Sequence, residues 1–73
     1  MEKNKILKRA SRDLFSISLS LDVLMVKIQN IAEDLLDGDL QKEASEALTV
    51  CEHVRLVQKI LDTTRGGWDN ASK

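Results

Sequence analysis

The sequence predicts an all-α chain: an antiparallel helical hairpin that assembles into a dimeric helical bundle. Three observations lead there. Proline is absent and glycine occurs only at Gly38, Gly66 and Gly67, so two long stretches contain no strong helix breaker. In the first stretch Leu7, Ala10, Leu14, Ile17, Leu21, Leu24, Ile28, Ile31 and Leu35 recur at alternating intervals of three and four residues, the period of a coiled-coil seam. Finally, a chain of 73 residues buries only about 60% of the surface its unfolded form exposes, which leaves a lone hairpin marginal. Small folds compensate with disulfides, a structural metal or association. Cys51 is the only cysteine and His53 the only histidine, so neither an internal disulfide nor a zinc site is expected, and association remains.

Taken in order, residues 1–12 form a basic segment, with Lys3, Lys5, Lys8, Arg9 and Arg12 against Glu2, that continues into the first helix. Residues 13–64 form the hairpin, with its turn near residues 37–39. Gly38 lies where a left-handed C-terminal cap belongs, and Asp39 is placed to cap the second helix, with Glu43 favourable near that helix's positive end. In the second helix Leu40, Ala44, Ala47, Val50, Cys51, Val54, Val57 and Leu61 fall on one stripe at 100° per residue. A connection this short makes the helices antiparallel neighbours. Counting outward from Gly38, residue 12 faces residue 64, so the basic segment is expected to project. Thr63, Thr64, Gly66 and Gly67 mark an expected helix end, leaving residues 65–73 as a flexible tail.

A second apolar set bears on association. Phe15, Leu19, Val23 and Val26 sit close together on the helical wheel, nearly opposite the seam, and Leu56 and Ile60 similarly oppose the stripe of the second helix. One hairpin cannot cover both faces, so these six residues are the expected self-association face.

Residues 15–23 also alternate. Phe15, Ile17, Leu19, Leu21 and Val23 are apolar, and Ser16, Ser18, Ser20 and Asp22 between them are polar, which is a strand's period. A strand followed by two helices after a basic arm resembles the ribbon-helix-helix family of DNA-binding dimers. That resemblance implies a two-stranded ribbon with Ser16, Ser18 and Ser20 entering the major groove. The unbroken seam from Leu7 to Leu35 has no explanation in an extended segment, so the helical hairpin is the leading expectation and the ribbon-helix-helix dimer the alternative.

Composition narrows the function. Apolar residues make up 42% and charged residues 32%, with a net charge of −1, a balance of globular or bundle sequences. The charge is polarised: residues 1–13 are basic, whereas Glu33, Asp34, Asp37, Asp39, Glu43 and Glu46 face only Lys42 across residues 33–46. The acids lack the alternating oxygen spacing of a calcium loop. Cys51 on the apolar stripe reads as a small core residue, with His53 pointing elsewhere. No phosphate loop, nucleophile elbow or paired catalytic acids occur, so neither an enzyme nor a cofactor is expected. Val23 to Val26 is the longest uninterrupted apolar run, well short of the roughly 20 residues of a membrane span, and the charges at Arg9, Arg12, Asp13 and Asp22 do not suit a signal peptide. No membrane partner and a cytoplasmic location are therefore expected.

What remains is a non-enzymatic protein–protein interaction module, a small homodimeric adaptor, inhibitor or regulator whose partners are a second copy and another protein. The alternative is a small dimeric nucleic-acid-binding regulator, of ribbon-helix-helix or Rop-type architecture, gripping phosphates through Lys3, Lys5, Lys8, Arg9 and Arg12. Trp68 is a candidate anchor for a partner.

Overall fold

The computed structural model describes residues 2–71. It consists of two helices, α1 (Glu2–Asp37) and α2 (Gln41–Ala71), packed against each other as an antiparallel hairpin. The hairpin is a rod of 57 × 14 × 11 Å. Residues 15–23 lie inside α1, and no strand occurs among the described residues.

The turn closes as a Schellman motif. The Gly38 N–H donates to the Asp34 carbonyl (3.1 Å), the last α-helical bond of α1. The Asp39 N–H then donates to the Leu36 carbonyl (3.0 Å) and the Leu40 N–H to the Leu35 carbonyl (2.8 Å). The left-handed residue is Asp39, at φ 61°, whereas Gly38 does not have a positive φ. The expected cap is thus displaced by one residue. A glycine is not required at the left-handed site because aspartate tolerates that region better than most side chains. Asp39 does not cap α2 either: Leu40 is the residue whose carbonyl accepts the first bond of α2, from the Ala44 N–H at 2.9 Å.

The helices meet along a seven-residue repeat that lies one position from the expected seam. On α1 the buried residues are Ser11, Ser18, Met25 and Ala32, flanked by half-buried Leu7, Leu14, Leu21, Ile28 and Leu35. On α2, Ala44 and Cys51 are buried and Ala47, Val54, Gln58, Leu61, Arg65, Trp68 and Asp69 half-buried. Ile17, Leu24 and Ile31, expected inside, are exposed. The physical reason is close approach. Serine or alanine at three of the four buried α1 positions, with Met25 the exception, and Ala44 and Cys51 on α2 let the backbones come near, with the Gln58 amide donating to the Ser18 carbonyl at 2.9 Å and the Cys51 thiol reaching the Met25 carbonyl at 3.9 Å. A large side chain at every one of these positions, as Ile17, Leu24 and Ile31 would supply, would hold the helices apart.

The C-terminal end also differs from expectation. α2 runs through Gly66 and Gly67 to Ala71, although each glycine costs about 1 kcal/mol of helix propensity relative to alanine. Contacts of the last turns of α2 act against that cost. Asp69 accepts a hydrogen bond from Ser11 and sits 3.8 Å from the Arg65 guanidinium, and Arg65 lies over the Phe15 ring at 5.0 Å. The last turns of α2 therefore back α1 as far as Leu7, and only the first turns of the basic segment project beyond them. Ser72 and Lys73, the end of the expected tail, lie outside the described residues.

Candidate interaction surface

The register along the seam assigns the two flanks of the rod. Gln58 lies level with Ser18 and Cys51 with Met25. Gln58 also donates to the Asp22 carboxylate at 2.7 Å. The contacts of Gln58 with Asp22 and of Arg65 with Phe15 place Phe15, Asp22 and Gln29 of α1 on one flank, with Arg55, Asp62 and Asp69 of α2. This flank is mixed: Leu36 and Leu48, at the same seven-residue positions, are exposed near the turn, whereas toward the open end a shallow cleft of about 220 Å³ between Ser11, Arg12, Phe15, Arg65 and Asp69 joins basic groups to an acid.

The opposite flank follows from helical geometry, because residues four before and three after each half-buried position lie beside it on the wheel. It carries Ala10, Ile17, Leu24 and Ile31 of α1 and Val50 and Val57 of α2, with the half-buried Leu7, Leu14, Leu21, Ile28, Leu35, Val54 and Leu61 as its floor. Ile17, Leu24, Ile31, Val50 and Val57 are each about half exposed. From Leu7 to Trp68, Glu43 is the one charged residue among these positions. Most of the seam expected from the sequence therefore forms an open apolar strip along one side of the rod.

The six residues of the expected self-association face are all exposed but do not form one surface. Leu19, Val23 and Val26 lie on the outer side of α1, and Phe15 turns toward the mixed flank beneath Arg65. Leu56 and Ile60 lie on the outer side of α2, where they line a shallow depression of about 350 Å³ with Lys59, Thr63 and Thr64, all from that helix. The two outer sides point away from each other.

Lys3, Lys5, Lys8, Arg9 and Arg12 are exposed on α1. Lys5, Lys8, Arg9 and Arg12 share an arc of about 100° on the outer and mixed sides, and Lys3 lies off it, in line with Ala10. Trp68 is half-buried on the inner stripe of α2, level with Leu7, rather than held out in solvent. Cys51 is a buried free thiol and His53 is exposed, its Nδ1 2.8 Å from the Thr49 carbonyl of its own helix. Among the described residues no three His, Cys, Asp or Glu side chains converge as metal ligands. α1 contains an 18-residue window long and apolar enough, by composition, to cross a membrane.

The residues that sequence reasoning missed as surface are Ile17, Leu24, Ile31, Val50 and Val57. A signal for them was present in the small residues Ser11, Ser18 and Ala32, which fall on a seven-residue repeat interrupted by Met25, matched by Ala44 and Cys51. Comparison with protein families, curated proteins and solved structures finds no match.

Proposed function

We propose that this hairpin is a non-enzymatic protein–protein interaction module, a small homodimeric adaptor, inhibitor or regulator of the cytoplasm. The observation behind this reading is excess surface. A compact monomer of 8.2 kDa exposes about 4,500 Å², whereas the hairpin exposes 5695 Å². The difference, about 1,200 Å², exceeds the roughly 800 Å² that each partner contributes to a standard protein interface. The core is correspondingly thin: Met25, Ala32, Ala44 and Cys51 are the buried apolar residues among those described. Pairing of two copies covers part of the excess, and Leu19, Val23 and Val26 on the outer side of α1 remain for another protein.

A cytoplasmic location fits the polar groups within the apolar stretch of α1. Asp22, bonded to Gln58, and Lys27 sit near its middle, and an acid or lysine at the centre of a membrane helix costs about 2.5–3.5 kcal/mol. The arc formed by Lys5, Lys8, Arg9 and Arg12 supports nucleic-acid binding as a second reading, since clustered cations suit a phosphate backbone. Thermal unfolding followed by circular dichroism over a range of protein concentrations tests the leading reading. The melting temperature rises with concentration when folding and pairing are linked. A melting temperature independent of concentration contradicts it.

A further inference from the structure

We infer that the second copy docks on the apolar strip of Ile17, Leu24, Ile31, Val50 and Val57, and that it lies antiparallel, the turn end of one hairpin beside the open end of the other. The inference rests on the reading that the hairpin pairs with itself, and adds the face and the orientation. From Leu7 to Leu35 the strip runs about 42 Å at 1.5 Å per residue, most of the 57 Å length of the rod. An occupant has to be equally long, straight and nearly free of charge on its docking side, and the strip of a second copy, charged only at Glu43, meets all three conditions. Two-fold pairing makes the same patch both donor and recipient, so no second complementary surface is required. The roughly 1,200 Å² of excess surface also exceeds what each chain of a stable dimer must cover.

Charge sets the orientation. The turn end carries Glu33, Asp34, Asp37, Asp39, Glu43 and Glu46 against Lys42, and the open end carries Lys3, Lys5, Lys8, Arg9, Arg12 and Arg65 against Glu2, Asp13, Asp62 and Asp69, which leaves it basic. A parallel pair would set acids beside acids and cations beside cations. An antiparallel pair sets each acidic end along a basic end, with Glu43 at one edge of the strip directed toward the end that carries Lys3. The four helices then form a bundle in which the flanks containing the Gln58–Asp22 and Ser11–Asp69 contacts face solvent.

The test uses cysteine labelling in the full chain with Cys51→Ala, so that one introduced thiol reports. Leu24 and Leu19 are nearly equally exposed in the isolated hairpin, at 47% and 51%, so any difference in reactivity measures what covers them. At concentrations where the parent sediments as a dimer, Leu24→Cys should react with a maleimide at least about tenfold more slowly than Leu19→Cys, following the fraction of chain that is undocked. Dilution to monomer should equalise the rates, and raising the salt concentration should weaken the dimer as the end charges are screened. Equal rates in a sedimenting dimer, or protection of Leu19→Cys instead, overturn the face while leaving self-pairing intact. Dimer affinity that is indifferent to salt overturns the antiparallel orientation. A parent that sediments as a monomer removes the underlying reading as well. Protection of Leu24→Cys that requires phosphatidylglycerol vesicles makes the occupant a lipid surface and overturns the second copy.

Discussion

Moving the single turn glycine by one residue, in the double substitution Gly38→Ala with Asp39→Gly, should stabilise the chain. Gly38 occupies right-handed backbone, and a Cβ there would meet the Asp34 and Leu35 carbonyl oxygens at 3.6 Å and the Leu40 Cδ1 at 3.9 Å, ordinary contact distances. Alanine therefore fits without strain, and the reduced freedom of the unfolded chain contributes about 0.4–1 kcal/mol. Asp39, at φ 61°, is in the region that costs an L-residue about 1–2 kcal/mol, less for aspartate. Glycine removes that cost but loses about 0.5–1 kcal/mol in extra unfolded-state entropy, so the net gain at this site is about 0.5 kcal/mol. Together the substitutions give about 1–1.5 kcal/mol. For a domain of 60–100 residues each kcal/mol raises the melting temperature by about 4–8 °C. The assay is thermal unfolding by circular dichroism of the parent, both single variants and the double variant at one fixed protein concentration, since pairing makes the midpoint concentration-dependent. A Gly38→Ala variant that melts below the parent would refute the reasoning, because it would place the left-handed residue at Gly38.

Two further outcomes follow from the seam and the basic end. Ala32 and Ala44 are almost wholly buried, so Ala32→Leu forces the helices apart and should cost about 1–3 kcal/mol in chemical denaturation; an unchanged midpoint contradicts the close-packed stripe. Replacing Lys3, Lys5, Lys8 and Arg9 together with glutamine touches exposed side chains only and should shift stability by no more than about 0.5 kcal/mol. Salt-steep heparin retention in the parent that this variant loses would put the nucleic-acid reading in place of the protein-binding one.

Helix content, the turn between α1 and α2, and the antiparallel register were legible because they depend on signals that tertiary packing does not reverse. These were the absence of breakers from residue 2 to 37, the short connection, and equal counting outward from Gly38. The phase of the seam was not. Leu7, Leu14, Leu21, Ile28 and Leu35 belong to both possible stripes, and periodicity of large residues selects the partner stripe of Ala10, Ile17, Leu24 and Ile31. The actual partner stripe contains Ser11 and Ser18, which hydropathy counts against burial although their size permits close approach. At the C-terminus, Gly66 and Gly67 read locally as a stop, and the contacts of Arg65 and Asp69 with Phe15 and Ser11 that keep the helix going are long-range. The interaction surface was legible as an excess of apolar residues but not in its location. The one-position shift in phase exposes the strip that the sequence assigned to the interior.

Sedimentation equilibrium of the unmodified chain at micromolar concentration, with circular dichroism recorded on the same samples, tests self-pairing most directly. The expected result is a mass of twice 8.2 kDa, with helicity falling as dilution dissociates the dimer, because a hairpin this thin in core is stabilised by what covers its apolar strip. A chain that sediments at its own mass and stays fully helical at every dilution would contradict that account.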